Sequence, residues 1–306
     1  MNRKTQKILA ATMAALLLAP SSAVVANAKA PSSSISYDTE LYSYQEHKGL
    51  VGVKNKSLSS YERPTVTVQG KNLSVRGIVI GDTYYVPFRA MANALGAQYE
   101  YSSSTKTSTM KLGSLTLISS DGCYTSYAND RALFSISPTV IMSDGRMYIP
   151  LDVFLKATGL RKSIIGSTVS VSGTFSPLAH ASKFYRSDEV LWLARIIHAE
   201  AQGEPLLGQI AVGNVVLNRV KSSSFPNTIY SVIFDRNYGV QFSPILNGSI
   251  YNTPSYNATL AAKICLEGFD ISEGALYFLQ PHLSTSSWIP KNRTYAFTIG
   301  NHDFYK

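Results

Sequence analysis

Glu189-Val-Leu-Trp-Leu-Ala-Arg-Ile-Ile-His-Ala-Glu-Ala-Gln-Gly-Glu-Pro205 decides how the second half of this chain is read. Its apolar residues recur at helical spacing. Ser187 is placed to cap the start, and Asp188 and Glu189 sit where the helix dipole favours negative charge. Gly203 and Pro205 predict a stop and a restart, with Pro205 as the first residue of a second helix. On a 3.6-residue wheel Glu200 points the same way as Leu193, Ile196 and Ile197, whereas Arg195 and His198 point away. A carboxyl on an apolar face is desolvated, which raises its pKa. A carboxyl kept protonated near neutral pH is what a general acid requires. The plainer alternative is a Glu that caps the next helix or pairs with an Arg.

The second helix, Pro205 to Lys221, carries Ile210, Val212, Val215, Val216 and Val220. Asn214 and Asn218, four apart, share one of its faces and either hydrogen-bond a substrate or bridge to neighbouring backbone. Pro226 to Phe234 reads as a short helix, Gln241 to Pro244 as a loop, and Thr253 as the cap of a helix from Pro254 to Gly268. Ala275 to Leu279 and Thr294 to Ile299 read as short strands. Upstream, Phe175 to Arg186 lacks periodicity, and residues 176–186 read as a linker. The second domain is therefore placed at residues 187–306.

The 306 residues suggest two domains. Residues 1–28 have the pattern of a secretory signal peptide: Arg3, Lys4 and Lys7, an apolar run from Ile8 to Leu18, and Ala26-Asn27-Ala28. The run is too short for a membrane span and no later one is long enough, so an exported protein is expected. The formal charge is +9, and residues 29–175 hold 15 basic against 10 acidic residues. That excess suits a polyanion such as an anionic cell envelope, or is a solvated basic surface. Two cysteines, Cys123 and Cys265, exclude a disulfide framework and read as buried small hydrophobes.

Residues 29–60 are polar and Ser-rich, a flexible lead-in. Thr65 to Val68 and Leu73 to Val75 alternate around Gly70-Lys71-Asn72 and predict a hairpin. Then Gly81-Asp-Thr-Tyr-Tyr-Val-Pro-Phe-Arg-Ala-Met-Ala-Asn-Ala-Leu-Gly96 recurs as Asp144-Gly-Arg-Met-Tyr-Ile-Pro-Leu-Asp-Val-Phe-Leu-Lys-Ala-Thr-Gly159, at an offset of 63 residues (Tyr85 to Tyr148). Each copy reads as strand, Pro at a helix start, short amphipathic helix and C-terminal Gly, followed by strands at Met110 to Ile118 and Thr168 to Val171. Residues 61–175 thus form a duplicated strand–helix–strand module with no catalytic constellation. Tyr85 to Gly96 resembles the stalk-type domain named after the N-terminal domain of copper amine oxidases. The resemblance covers about residues 61–173 and implies a folding unit beside cell-wall enzymes. It does not imply copper, and the stretch contains no His.

Three chemistries compete for the second domain. His198 and Glu200 are two apart on a helix and diverge, and His-Glu-x-x-His is absent, so no metal or other cofactor is expected. No Gly-x-Ser-x-Gly occurs and Cys265 lies in an apolar helix, which weakens a nucleophile. Glycoside cleavage by Glu200 remains. Paired-carboxylate schemes need a partner among Asp188, Glu189, Glu204, Asp235, Glu267, Asp270, Glu273 and Asp303, and none stands out. Glu204 reads as a cap of the second helix. A single carboxyl suffices if Glu200 protonates the glycosidic oxygen and then takes a proton from an attacking hydroxyl of the sugar itself.

Ala194 to Pro205, Gly208 to Val212, Val216 to Val220, Gln241-Phe242, Gly274 to Phe278, Thr285 to Trp288 and Ile299 to His302 are similar to the spore-cortex-lytic and cell-wall hydrolase family of SleB/CwlJ type. The resemblance implies a small, mostly α, lysozyme-like domain with short C-terminal strands that cleaves peptidoglycan glycan strands. It places Glu200 at the family's catalytic Glu and implies lytic transglycosylase chemistry. Gln241, Tyr277, Trp288, Asn214 and Asn218 are the candidate substrate-binding residues, the aromatics either stacking on sugars or filling core. His302 reads as structural. The whole chain is expected to be α+β, secreted to the cell wall or spore cortex and monomeric, with no nucleic-acid partner. The competing readings are a water-using muramidase or glucosaminidase, with Asp235 as second carboxylate, and a non-catalytic wall-binding protein.

Overall fold

The structure, a computed structural model, describes residues 57–237, 239–284 and 287–306. The expected signal peptide and most of the expected lead-in lie outside the described residues; the last lead-in positions, Leu58–Ser60, form a 3-10 turn. The first half is β-rich. β1 (Thr65–Val68), β2 (Lys71–Asn72), β3 (Ile78–Ile80) and β4 (Thr83–Pro87) lead into α1 (Phe88–Ala94). The antiparallel meander β5 (Gln98–Ser102), β6 (Thr107–Leu112), β7 (Leu115–Ser120), β8 (Thr125–Ala128) and β9 (Arg131–Phe134) follows. Then come β10 (Val140–Ile141), β11 (Met147–Pro150), α2 (Leu151–Thr158), β12 (Arg161–Ile165) and β13 (Thr168–Ser172).

The two copies of the repeat meet face to face. β4 and β11 pair antiparallel, with Tyr85 opposite Pro150, Val86 opposite Ile149 and Pro87 opposite Tyr148. Equivalent residues thus exchange places, as a local twofold axis requires. Phe88 of the first copy packs edge-on against Phe154 of the second, ring centroids 6.4 Å apart, in a core shared with Val66, Met110 and Val171. β1 pairs in parallel with β13, Thr65 opposite Thr168 through Val68 opposite Val171, which ties the two ends of the module together.

Local readings needed correction here. The hairpin turns at Gln69-Gly70, both at positive φ, so Lys71–Asn72 is its second strand. The run from Met110 to Ile118 is two strands, β6 and β7, paired across Gly113. Cys123 is half-buried rather than buried.

The second half is helical: α3 (Ala181–Phe184), α4 (Ser187–Ala201), α5 (Leu206–Lys221), α6 (Ile229–Ile233), α7 (Pro244–Asn247) and α8 (Tyr256–Leu266). It closes with β14 (Tyr277–Leu279), α9 (Trp288–Asn292), β15 (Tyr295–Ile299) and β16 (His302–Tyr305), in a small antiparallel sheet ordered β14-β16-β15. α4, α5 and α8 pack on one another. Gly213 makes this possible: a Cβ there would lie 2.7 Å from Cys265 Sγ and 2.8 Å from Ile197 Cδ1. The caps differ from expectation. Ser187 is inside α4 and Arg186 precedes it without a side-chain cap bond, while Ser255, not Thr253, caps α8 by accepting from the Ala258 N–H. Among the described residues no helix is long and apolar enough to cross a membrane.

The expected linker is part of a packed junction. The described residues fall in one compact unit, and its two halves meet at Glu267, just beyond α8. Arg131 Nε and Nη2 each donate to the Glu267 carboxylate at 2.8 Å, and the Tyr185 hydroxyl donates to it at 2.7 Å. Lys156 Nζ donates to the Glu267 backbone carbonyl at 2.6 Å. The Arg131 guanidinium lies 3.4 Å from the Phe184 ring centroid. The Arg131 and Glu267 side chains are 8% and 1% exposed, so this ion pair is dry. Burial pushes the Tyr185 hydroxyl well above its ordinary pKa, with Glu267 holding its proton in place. Glu267 is therefore committed to the junction and is unavailable as a second catalytic carboxylate.

Candidate active site

Glu200 lies in the last turn of α4, on the side of Leu193, Ile196 and Ile197, all fully buried. Its carboxyl is half-buried and accepts no hydrogen bond from the described residues. Burial raises its pKa from 4.5 to about 7, against the opposing pull of the Arg219 guanidinium. A group so placed is partly protonated at neutral pH and can both give and take a proton.

Arg219, on α5, is the residue that sequence reasoning missed. It is 5% exposed. Its Nε donates to the Leu276 carbonyl at 2.7 Å, and its Nη1 reaches Gln241 Oε1 at 3.5 Å. Its guanidinium lies over Phe225, Phe242 and Tyr277, at 5.0, 5.1 and 5.5 Å from the ring centroids. Burial lowers its pKa to about 10, and the charges that oppose this are Tyr277, Asp235 and Glu200. Arg219 thus joins Glu200, Gln241, Tyr277 and Asp235, which come from three separate stretches of chain. An arginine on an otherwise apolar helix face, beside Val216 and Val220, is the signal that marks it: such a charge is kept only where partners meet it.

The other candidates separate into two groups. Gln241 accepts from Arg219 and donates through Nε2 to the Gly239 carbonyl at 3.3 Å, so it is held by the site. Tyr277 is half-buried, accepts from Arg293 Nη2 at 2.9 Å and meets Trp288 edge-on at 6.3 Å. Trp288 is 51% exposed, with Arg293 4.9 Å from its ring centroid. This leaves an aromatic rim next to the Arg219 node. Asn214 and Asn218 belong elsewhere. Asn214 donates to the Phe269 carbonyl and accepts from the Ile271 N–H, at 2.9 and 3.1 Å. Asn218 donates to Ser272 Oγ and the Ala275 carbonyl. Their amides brace residues 269–275 against α5, which corrects their assignment to substrate binding and selects the backbone-bridge alternative.

Two carboxylates near the site are already employed. Glu204 does not cap α5; its side chain is buried and receives the β15–β16 turn. The Asn301 N–H and Nδ2 donate to its two oxygens at 2.9 and 3.0 Å. Gly300 is required there, since a Cβ would collide with Glu204 Oε2 and φ is +58°. His302 is buried behind it against Phe278, ring centroids 5.3 Å apart, and burial lowers its pKa, as expected of a structural His. Asp235 is 8% exposed and accepts from the Asn237 N–H at 3.0 Å. Its charge bears on Arg219, whereas Arg219 is the one charged group among the described residues that bears on Glu200. Among the described residues no group of three or more His, Cys, Asp or Glu side chains is placed to hold a metal ion.

Two known families match separate parts of the chain. Residues 203–305 match the family described as Cell Wall Hydrolase, beginning just beyond Glu200. Residues 67–172 match the Copper amine oxidase N-terminal domain family. A spore cortex-lytic enzyme of Bacillus cereus is 40% identical over 122 residues, covering 40% of this chain and 46% of that protein. One of Bacillus subtilis strain 168 is 38% identical over 120 residues, covering 39% of this chain and 38% of that protein. The solved catalytic domain of the germination-specific lytic transglycosylase SleB from Bacillus anthracis shares 40% identity over 40% of this chain and 97% of its own, with a TM-score of 0.37. The chain spans less than half the length of these two curated relatives.

Proposed function

We propose that this chain, which carries a cell-wall hydrolase domain behind a copper amine oxidase N-terminal-type domain, cleaves the glycan backbone of peptidoglycan with Glu200 as its one proton-transfer group. The observation that carries the proposal is a half-buried carboxyl on the apolar side of α4 with the Arg219 guanidinium acting on it, its pKa pushed up to about 7 by burial. Glu200 in its protonated form gives its proton to the glycosidic oxygen between N-acetylmuramic acid and N-acetylglucosamine, and the bond to the muramic C1 breaks. The carboxylate then takes the proton of the C6 hydroxyl as that oxygen bonds to C1. Glu200 ends protonated again, no water is consumed, and the product is a 1,6-anhydro sugar. Arg219 stabilises the carboxylate formed in between. In this reading Gln241 meets an acetamido group, and Tyr277 and Trp288 stack on sugar faces. The similar curated proteins are named for spore cortex lysis, and an exported enzyme of the wall or cortex with a lysozyme-like catalytic domain fits them.

Mass spectrometry of muropeptides released from purified peptidoglycan tests the chemistry. Products with anhydro ends, one water lighter than hydrolysed ones, are expected. Ordinary reducing ends would make water the nucleophile and Asp235 the next carboxylate to examine. The pH profile tests the pairing with Arg219. Activity that needs protonated Glu200 falls as pH rises through about 7. Arg219→Met removes the charge that pulls this pKa down, so the alkaline limb should move to higher pH while the maximal rate drops. An unmoved limb would show that Arg219 does not act on Glu200.

A further inference from the structure

The duplicated module offers the same helix face twice, and the apolar positions of that face are buried in one copy only. In the second copy, Asp152, Val153, Lys156 and Ala157 form that face of α2. Val153 and Ala157 are buried, α2 packs on β7 and β9, and Lys156 donates to Glu267 of the helical half. The equivalents in the first copy, 63 residues earlier, are Arg89, Ala90, Asn93 and Ala94 (152 to 89). They wall an open cleft of about 590 Å³, a size typical of ligand sites. Tyr99 and Tyr101 of β5 line the same cleft, as does the turn before β11.

The lining has a definite chemistry. The Arg89 guanidinium lies 5.0 Å from the Tyr99 ring centroid and makes no ion pair among the described residues. Arg146 is already matched by Asp144 at 2.9 Å. No acidic residue lines the cleft. Glu100, between the two tyrosines, belongs to the other face of β5 and pairs with Lys111 at 3.6 Å. Tyr101 is 41% exposed. Ala90 and Ala94 keep the helical wall low, and Asn93 and Asn72 add amide groups.

We propose that this cleft binds a carboxylate-bearing saccharide strand, with Arg89 on the carboxylate and Tyr101 against a sugar face. An arginine pre-stacked on an aromatic ring keeps its edge N–H groups in the plane that a carboxylate needs. The choice of a saccharide follows from Tyr101: a pyranose offers a flat C–H face to an aromatic ring, and a polyol-phosphate chain does not. That the strand is peptidoglycan, whose carboxylates are those of its stem peptides, rests on the catalytic reading above. On that reading the module holds the enzyme on its own substrate at a second point, away from Glu200.

The test is co-sedimentation of the full chain carrying Glu200→Gln, which leaves strands uncut, with purified peptidoglycan. One sample keeps its phosphate polymers and the other is stripped of them. Arg89→Glu should weaken retention about tenfold and Tyr101→Ala severalfold, on both samples and with unchanged circular dichroism. Retention unaltered in both variants would overturn the proposal. So would retention that vanishes on stripping, which would assign the cleft to a phosphate polymer. Release of muropeptides from short soluble glycan fragments is measured separately, with Glu200 intact. Arg89→Glu should leave it unchanged; a drop to the level of the Glu200→Gln enzyme would place Arg89 in catalysis and overturn the cleft assignment. If the parent releases none, the catalytic reading fails, while loss of retention in Arg89→Glu still supports an acidic-saccharide cleft.

Discussion

Glu200→Gln should abolish muropeptide release, by at least about a thousandfold, and at the same time make the protein more stable at alkaline pH. The first effect follows because an amide can neither donate a proton to the glycosidic oxygen nor accept one from the attacking hydroxyl, and general acid–base and electrostatic terms of that size are typical. The second follows from linkage. The carboxyl has a pKa of 4.5 when unperturbed and about 7 in the fold. A raised carboxyl pKa means that the folded state binds the extra proton. The contribution to stability is therefore full below pH 4.5 and is lost as pH rises through about 7. At pH 8 the ionised, half-buried carboxylate costs on the order of 2–3 kcal/mol, and Gln does not carry that cost. Thermal melts of parent and variant should coincide near pH 4, draw apart as pH rises from about 4.5 to 7, and stay apart above that with the variant higher. A variant that keeps its activity would end the assignment of Glu200. A variant that loses activity together with stability at every pH would point to simple misfolding.

Glu267→Ala should lower unfolding free energy by about 3–5 kcal/mol, because it strands Arg131 in a site almost closed to water. The Arg131 side chain is 8% exposed, and its other neighbour, Phe184, offers only a ring face. Arg131→Ala should cost a similar amount. Replacing both together, Arg131→Met with Glu267→Leu, should recover much of the loss, since it removes the burial of charge as well as the pairing. Lys156→Ala should cost less than about 1 kcal/mol, because its side chain is 40% exposed and the ion pair is partly screened. Urea titrations of the four variants measure all of this. Glu267→Ala within 1 kcal/mol of the parent would mean that the two halves are not held by this node. The expectation of a linker over residues 176–186 missed the junction because Phe184 and Tyr185 have no periodicity to betray them. Their role is set by Arg131 and Glu267, distant in sequence.

Much of the local structure was legible. The helix ending at Glu200 and the side on which that residue lies follow from 3.6-residue spacing alone. The repeat is visible as Tyr85, Pro87 and Gly96 recurring at Tyr148, Pro150 and Gly159. Both signals are short-range: they depend on spacing within one helix or on copying of one unit. Whether Asn214 and Asn218 face a substrate or the backbone was not legible, since a helix wheel gives a direction and not what lies there. Residues 269–275 lie there, more than fifty positions away.

The sequence by itself determined the main helices, the duplication and the lone carboxyl on an apolar helix face, because hydrophobic period and turn chemistry act over a few residues. Only the tertiary structure decided which groups share a site. Arg219 beside Glu200, Gln241 and Tyr277, Glu204 on the Gly300 turn, and Arg131 on Glu267 are all pairings between remote segments. Buried charges choose partners by where packing leaves them, and that is settled when the whole core closes.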